Sequence, residues 1–308
     1  MKPSSAILAA GLGRRGARSR GERVIAGLLL ACALVSIFTT AAVIVVLATE
    51  TVGFFREVSL LEFFTDPQWT PLFLDQHFGI APLVTGTLLV TTIALIVGAP
   101  LGLGSAIYLS EFASANRRRR ILPVLELLAG IPTVVLGYFA LLFLTPVLRG
   151  IIPGVDLFNP LSAGIVMGFM ILPTISSISV DAMQAVPGSL REAGYGLGAA
   201  KHELILKVVM PAALSGIVAS LILAIARAIG ETMIVTLAAG QRPDLHFDPR
   251  KTIATMTSFI VQAATGDQPA GSLAARSLYA VAATLFVMTL FLNLAAQAVV
   301  RRFQERYE

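Results

Sequence analysis

Six long apolar runs constrain this 308-residue chain more than any other feature. Each run is about 20 residues or longer, which is the length that an α-helix needs to cross the ~30 Å hydrocarbon core of a bilayer. The runs are continuous, whereas the strands of a membrane barrel would alternate over roughly ten residues. The sequence therefore predicts an all-α, multi-pass membrane protein with six transmembrane helices. The predicted spans are Val24–Ala48, Ile80–Leu109, Ile121–Leu148, Leu161–Ala182, Ala212–Ala239 and Ser277–Val300.

The composition supports this class and excludes several others. Hydrophobic residues make up 56% of the chain and charged residues 13%, whereas disordered chains and ordinary soluble domains carry far more charge. Cys32 is the single cysteine, so no intrachain disulfide is possible. The three histidines lie far apart, and no metal site is predicted. Paired carboxylates, a histidine cluster and a Ser/His pair at membrane depth are all missing, so no catalytic residues are predicted.

The distribution of Lys and Arg predicts the orientation of the spans. With the N-terminus inside, sixteen of the 23 basic residues lie in inner segments and six in outer segments. We therefore expect both termini in the cytoplasm, with residues 1–23 as a basic cytoplasmic tail and residues 24–308 as the transmembrane domain. The run Arg117–Arg120 marks the inner face, and it lacks the interleaved aromatic residues of a nucleic-acid site.

Two long outer segments, Thr49–Gly79 and Gly240–Arg276, separate the predicted spans. The first is rich in aromatic residues, which favours an interfacial belt beside the membrane. A docking surface for an external partner is the alternative. The aromatic residues concerned are Phe54, Phe55, Phe63, Phe64, Trp69 and Phe73.

The inner loop at about residues 185–211 has a pattern of its own. Ser189–Glu192 has the S-x-x-E form of a capping box, which predicts a short helix that starts there and ends near Gly198. A second helix follows, with an apolar stripe at Leu204, Ile205, Val208 and Val209. Pro211 suits the first turn of the fifth span. The loop is therefore predicted to be two short helices lying under the membrane.

The same loop resembles the EAA loop that marks the membrane subunits of ABC importers. The family pattern is E-A-A, three residues, G, nine residues and I-x-L-P; here Gly194, Val208 and Met210 replace Ala, Ile and Leu. The resemblance implies that the loop couples to a separate ATPase subunit, although Glu192 could be only a cap and Gly198 only a helix stop. The matching positions are Glu192, Ala193, Gly194, Gly198, Val208, Met210 and Pro211.

The chain carries no phosphate-binding loop of its own. Such a loop needs a Gly-Lys pair followed by Ser or Thr, and none of the four lysines, Lys2, Lys201, Lys207 and Lys251, follows a glycine. We therefore expect a non-catalytic subunit without a cofactor, and ATP and Mg²⁺ bound to a partner ATPase.

Two charged residues lie inside the predicted fifth span. Arg227 would stand ~22 Å above Ala212 at 1.5 Å per residue, beyond the reach of the inner surface. Glu231 is one helical turn further and could pair with it. One interpretation is a structural ion pair; the other is an anion site on the substrate path, where the guanidinium fork matches phosphate oxygens and Thr232 adds a hydroxyl.

Four stretches make the chain resemble the PstC-type permease subunits of bacterial high-affinity phosphate ABC transporters. The resemblance implies a type I ABC importer permease fold in the cytoplasmic (inner) membrane and a role for Arg227 and Glu231 in translocation. It also implies a PstA-like second permease, a PstB-like ATPase dimer and a PstS-like external phosphate-binding protein as partners. The stretches are Gly79–Leu88, Pro100–Phe112, Glu126–Gly137 and Arg227–Thr232.

Two other functions stay open at this point. The EAA loop does not contact the substrate, so the same machine could carry sulfate, molybdate or tungstate. An ATP-independent secondary transporter is the other alternative; such proteins often contain inverted repeats, and none is visible in this sequence.

Overall fold

The computed structural model describes residues 20–269 and 271–303. In this part of the chain all regular structure is helical, apart from one isolated bridge between Trp69 and Phe78. Three π-helical segments interrupt the α-helices: π1 Tyr108–Phe112, π2 Ala140–Leu144 and π3 Ile205–Val209. The α-helices are α1 Arg20–Phe55, α2 Leu60–Thr65, α3 Ala81–Ile107, α4 Ala115–Ala129, α5 Thr133–Phe139, α6 Thr145–Ile151, α7 Pro160–Gln184, α8 Gly188–Gly196, α9 Lys201–Leu204, α10 Met210–Ala212, α11 Leu214–Ile229, α12 Met233–Ala238, α13 Met256–Thr265 and α14 Leu273–Phe303.

The chain divides into two units, Met1–Thr49 and Glu50–Glu308. In the first unit the helix begins at Arg20, four residues before the predicted span. The large apolar side chains between Val24 and Val46 are exposed, as expected of a helix that faces lipid. Residues 1–19, most of the predicted basic tail, lie outside the described residues.

Within the part of the chain that the structure describes, five helices are long and apolar enough to cross a bilayer, and a bent pair makes a sixth span if it crosses as one unit. This set confirms the all-α, multi-pass prediction. The five are Val24–Phe55, Ala81–Phe112, Thr133–Ile151, Pro160–Gln184 and Leu273–Ala298.

The predicted third span, Ile121–Leu148, is wrong in its first part. Residues up to Ala129 belong to α4, and the membrane-length segment starts at Thr133. Pro132 causes the break, because proline has no amide hydrogen to donate, and it takes the extended φ and ψ of −57° and 132°. Glu126 therefore lies before the span.

The predicted fifth span, Ala212–Ala239, is interrupted twice. The pair Lys201–Ala212 and Leu214–Ile229 bends by 71°, so Pro211 lies before the span and not in its first turn. The helix then stops at Ile229, and Gly230, Glu231 and Thr232 separate α11 from α12. Glycine weakens a helix at that point because fixing its backbone costs more conformational entropy than for any other residue.

Glycines bring α3 and α7 into backbone contact. A Cβ added at Gly168 would lie 2.9 Å from the Ala94 carbonyl oxygen, and one at Gly98 would lie 2.7 Å from the Gly168 oxygen. Gly102 makes the same kind of close contact, since a Cβ there would lie 2.8 Å from Ile175 Cβ. Gly104 is different, because nothing lies within 4 Å of a Cβ at that position.

The aromatic residues of the first outer segment form a small core, and the prediction of a membrane belt is wrong for half of them. Phe54, Phe63 and Trp69 are buried, whereas Phe64 and Phe73 are exposed. The rings meet edge to face, with Trp69 at 5.0 Å from Phe259 between centroids, which is the arrangement that aromatic quadrupoles favour. The segment folds back on itself through α2 and the Trp69–Phe78 bridge.

Candidate functional site

The inner loop contains the two predicted short helices, and Gly198 ends the first. Gly198 has a φ of +81°, a conformation that glycine adopts without the steric cost of a Cβ. Its amide donates to the Tyr195 carbonyl at 2.9 Å, and the Ala199 amide donates to the Gly194 carbonyl at 3.1 Å. This pair of bonds is a Schellman motif, so the predicted helix stop is confirmed.

The predicted capping box at the start of this helix does not form. The helix begins one residue earlier, at Gly188, and Pro187 is the N-cap without a side-chain hydrogen bond. Ser189 therefore lies inside the first turn, where its hydroxyl is out of position to cap. Glu192 is exposed, which leaves its carboxylate at the surface of the loop.

The loop has one buried face and one exposed face. Leu204, Ile205 and Val209 are buried and Val208 is half-buried, so the predicted apolar stripe packs towards the membrane helices. Gly194 is also buried, and the end of the Leu204 side chain occupies the space that a Cβ at 194 would take. The substitution of Gly for the family Ala at 194 is therefore matched by a close approach of α9 to α8.

The exposed face contains the other predicted coupling residues. Ala193 and Pro211 are exposed. Large apolar side chains beside them are exposed too, and Leu197 is the extreme case at 89%. Such side chains in water have no packing partner, which is typical of a surface that another protein covers.

The pairing of Arg191 with Glu111 was not predicted from the sequence. Arg191 belongs to α8 and Glu111 to π1, at the inner end of the second span. A signal existed, because Glu111 ends a span that is otherwise free of acidic side chains. Its partner is 80 residues away in sequence, and such distant partners cannot be assigned from one sequence.

Arg227 lies in the last turn of α11 and is half-buried. It stands ~20 Å from Leu214 along the helix. Its Nη1 donates a hydrogen bond to Thr174 Oγ1 of α7 at 3.1 Å. A threonine hydroxyl is a neutral acceptor, so the positive charge of the guanidinium is not cancelled at this contact.

The predicted pairing of Arg227 with Glu231 is not formed. Among the described residues, no ion pair within 4.0 Å joins them. The physical reason is the helix break, because Glu231 no longer lies one helical turn above Arg227. Glu231 Oε1 instead accepts from the amides of Met233 at 3.0 Å and Ile234 at 3.3 Å, and so caps the start of α12.

Hydroxyl groups surround the break after α11. Thr232 donates to the Gly230 carbonyl at 3.3 Å, and Thr257 of α13 donates to the Glu231 carbonyl at 2.8 Å. Thr91 of α3 faces the same narrow space next to Glu231, and its buried hydroxyl has no partner in the described part of the chain. The three predicted path residues therefore lie at or beside one short break: Arg227 in the last turn of α11, and Glu231 and Thr232 in the break that follows.

Known proteins resemble this chain in sequence. A family model described as "Binding-protein-dependent transport system inner membrane component" matches residues 98–308. The probable ABC transporter permease protein YqgH of Bacillus subtilis is 36% identical over 264 residues, which cover 85% of each chain. The phosphate transport system permease protein PstC of Mesorhizobium japonicum is 33% identical over 266 residues, or 79% of each chain. PstC of Haemophilus influenzae is 30% identical over 300 residues, 90% of this chain and 89% of that one.

Solved structures share the fold at lower sequence identity. A bacterial ABC transporter involved in the import of the acidic polysaccharide alginate matches with a TM-score of 0.64 at 16% identity, over 93% of this chain and 98% of that chain. The MetNI methionine ABC transporter in an inward-facing conformation matches with a TM-score of 0.55 at 18% identity, over 74% and 95%.

The family match covers more than half of the chain, and it includes the inner loop, the last turn of α11 with Arg227 and the break that follows it. The helical architecture agrees with the solved importers. This chain therefore belongs to the family of inner-membrane components of binding-protein-dependent transport systems, as a permease subunit.

Proposed function

We propose that this chain is the PstC-type membrane subunit of an ATP-driven phosphate importer in the bacterial cytoplasmic membrane. The observation that carries the proposal is the state of Arg227: a guanidinium at membrane depth, held by a neutral hydroxyl and free of the predicted carboxylate. A charge in that position is costly unless it serves an ion path or a partner. The curated relatives named as phosphate permeases support phosphate as the anion.

The chemistry of the Arg227 site suits a transient anion site. A guanidinium offers parallel N–H donors that match two oxygens of a phosphate group. Glu231 uses one oxygen to cap α12 and does not form an ion pair with Arg227. Its negative charge nevertheless lies near the proposed path. That charge raises the cost of a bound anion and favours passage over tight binding. The hydroxyl of Thr232 is a further polar group at the break.

The inner loop is proposed to dock on a separate ATPase subunit. Its exposed face carries Glu192 and Ala193 of the motif together with exposed apolar side chains such as Leu197. Gly198 fixes the turn between the two helices, and Gly194 lets them pack closely. A rigid pair of helices with an apolar outer face can transmit a conformational change of the ATPase to the membrane helices. That ATPase, and not this chain, would bind ATP and Mg²⁺.

The other proposed partners complete the assembly. They are a PstA-like second permease that forms the other half of the path, a PstB-like ATPase dimer and a PstS-like phosphate-binding protein on the outer side. The family description, which names a binding protein, supports the last of these. Arg227 of this chain would then line one half of the path, and the second permease would line the other.

The proposal is tested by co-expression of this chain with the three partners and reconstitution in vesicles. We expect uptake of labelled phosphate that requires ATP and the loaded binding protein, and that excess sulfate, molybdate or tungstate leaves largely intact. Uptake of another oxyanion in preference to phosphate would identify that anion, and not phosphate, as the substrate. Uptake without the ATPase subunit would contradict the proposal altogether and point to a secondary transporter.

A further inference from the structure

The guanidinium of Arg191 joins three elements at the inner side of the protein. Its Nη1 donates to both carboxylate oxygens of Glu111 in π1, at 2.8 Å and 2.6 Å. Its Nη2 donates to the Met183 carbonyl of α7 at 2.7 Å. One side chain of α8 therefore holds the inner ends of the second and fourth spans together.

This contact is the most buried ion pair within residues 20–269 and 271–303. The Glu111 side chain is 5% exposed and that of Arg191 24%, whereas the Lys207–Glu203 pair of the same loop is largely in water. The Ser110 hydroxyl donates to Glu111 Oε1 at 2.8 Å and satisfies another lone pair of the carboxylate. A buried pair with this geometry holds its partners in one arrangement, because separating them leaves an uncompensated charge.

The second helix of the loop contacts the same segment. Lys201 Nζ of α9 lies 4.6 Å from the ring centroid of Phe112, the residue after Glu111, within the range of a cation–π interaction. Leu109 of π1 is buried in one cluster with Leu204 and Val209 of the loop. Both short helices therefore hold π1, and π-helical segments of this kind are frequent at functional sites.

The spans that Arg191 joins also contact each other along their length. Gly98 and Gly168 place the backbones of α3 and α7 against each other, so these helices resist independent movement. Thr174, which accepts the hydrogen bond of Arg227, lies nine residues before Met183 on α7, about 14 Å along the helix. A continuous series of contacts thus leads from Arg191 through α7 to Arg227.

We propose that Glu111 and Arg191 are positioning residues that transmit movement of the ATPase-facing loop to α3 and α7, and through Thr174 to Arg227. The inference rests on the proposed function, because the movement comes from the ATPase partner. Coupling between distant sites is demonstrated by an energetic interaction between the residues that join them. The test therefore measures whether the two side chains act as one unit.

The experiment is a double-mutant cycle in the reconstituted importer, with Glu111→Gln, Arg191→Gln and both changes together. The readout is the ratio of ATPase activity with loaded binding protein to activity without it. We expect each single change to lower the ratio about tenfold, within the range of typical allosteric coupling. The ratio of the double variant should not fall below the lower of the two single-variant ratios, because both changes remove the same contact.

Arg191→Lys is the second variant, chosen because it keeps a positive charge beside buried Glu111 and so protects folding. A lysine cannot hold both Glu111 and the Met183 carbonyl in the planar geometry of arginine, so we expect an intermediate ratio at the wild-type amount of protein. Glu57→Gln is the matched control. It removes a carboxylate from an equally short contact, 2.6 Å from Arg276, but at an exposed position, and should leave the ratio unchanged.

Two results would overturn the inference: a wild-type ratio in either Gln variant or in Arg191→Lys, or losses that simply multiply in the double variant. Hydrogen exchange of α8 in the purified full-length chain separates this failure from failure of the proposed function, since it needs neither phosphate nor ATPase. Glu111→Gln should speed exchange across Gly188–Gly196 several-fold relative to Glu57→Gln. Equal exchange in the two variants would show that the pair does not position α8, whatever the importer transports.

Discussion

Arg227 has an unusual environment for a charge in a membrane helix, because the partner that it contacts is neutral. Thr174 accepts one of its hydrogen bonds, and an arginine offers five N–H donors. The remaining donors can therefore turn to an anion without first breaking an ion pair. An arginine that served helix packing alone would be expected to lie against a carboxylate, which is the arrangement that the sequence predicted and the structure does not show.

The first prediction concerns both members of this contact. Arg227→Gln should reduce phosphate uptake at least 100-fold, and Arg227→Lys should leave about a tenth or less, because a lysine is a point donor that cannot bind two oxygens in one plane. Thr174→Val should lower uptake roughly threefold to tenfold by releasing the guanidinium, in line with the net strength of about 1 kcal/mol of a typical hydrogen bond. The measurement is uptake by vesicles with equal amounts of assembled complex.

Thr284→Val is the control for that series, because the Thr284 hydroxyl is bound to the Ala280 carbonyl of its own helix. It should leave uptake within about twofold of the wild type. Full activity in Arg227→Gln at a normal protein level would exclude Arg227 from the anion path. Full activity in Thr174→Val would remove Thr174 from the contacts that orient it.

The second prediction concerns His77 in the first outer segment. Its Nδ1 lies 2.9 Å from Asp66 Oδ2, and Asp75 is 3.6 Å from Nε2. The hydrogen bond to Asp66 is the main reason that the pKa of His77 is raised above its ordinary value of 6.5. A raised pKa in the folded state means that the protonated ring stabilises this segment fully below pH 6.5, and that the contribution is lost as the pH rises through the raised pKa.

Trp69, the single tryptophan of the chain, reports on this segment. The denaturant midpoint for unfolding of this segment, measured by the fluorescence of Trp69, should fall as the pH rises from about 6 to 8. His77→Gln should abolish that dependence while leaving the rest of the curve similar. An equal pH dependence in the variant would assign the effect to another group.

At the level of helices, α3 and α7 depend on glycine for their contact. A Cβ at Gly168 would lie 2.8 Å from Val97 Cβ and 2.9 Å from the Ala94 carbonyl oxygen, and a backbone oxygen cannot move aside cheaply. Gly168→Ala should therefore destabilise the protein by about 1–3 kcal/mol, the usual cost of overpacking. The measurement is the free energy of unfolding in detergent.

Gly104→Ala is the matched control on α3, since nothing lies within 4 Å of a Cβ at that position. Alanine is favoured over glycine in a helix interior by up to about 1 kcal/mol, so this change should be neutral or stabilising. Equal stability of the two variants would show that the close approach of the helices is not needed for folding.

The sequence predicts the helices well where apolar length alone decides the structure. The spans that became α3, α7 and α14 are recovered within a few residues, because each is a continuous apolar run without an interrupting break. The third and fifth spans are mispredicted for a different reason: apolar composition does not stop at Pro132 or Gly230, although the helix does. Local backbone chemistry, which hydropathy does not measure, sets those boundaries.

The same limit applies to the candidate site. Gly198 and the apolar stripe of the inner loop are local patterns, and the structure confirms them. Thr174 and Glu111 contact residues 53 and 80 positions away, and one sequence contains no record of such distant pairs. The Arg227–Glu231 pairing was expected from the i,i+4 spacing of a continuous helix. That spacing does not place the two side chains together here, because α11 ends at Ile229, between them.

Across the whole molecule, burial differs sharply between the spans. The most apolar 18-residue window of α7 is 72% buried, whereas the corresponding figures are 11% for Leu273–Ala298 and 17% for Thr133–Ile151. The fourth span is therefore central within the second unit, and the last span and the third present broad apolar faces. Lipid and the proposed second permease are the surroundings that can cover those faces without cost to solubility.

The last prediction concerns the orientation of the whole chain. An even number of spans places both termini on one side, and the excess of basic residues in the inner segments places that side in the cytoplasm. Leu74 should then face outside, and Arg119 and Leu197 inside. All three side chains are exposed, so cysteines at these positions can react. In a Cys32→Ala background, an impermeant thiol reagent should label position 74 in intact cells, and positions 119 and 197 after permeabilisation.

Cys32 itself provides the control, because it lies within the first apolar run and should resist the polar reagent before and after permeabilisation. Labelling of position 119 but not of 74 in intact cells would invert the topology. The inversion would put the α8–α9 loop outside, where no ATP-hydrolysing subunit can reach it, and the proposed coupling through Arg191 would fall with it. Labelling of 74 and 119 together in intact cells would instead mean that Ala81–Phe112, the span between them, does not cross the membrane, and that the six-span arrangement is wrong.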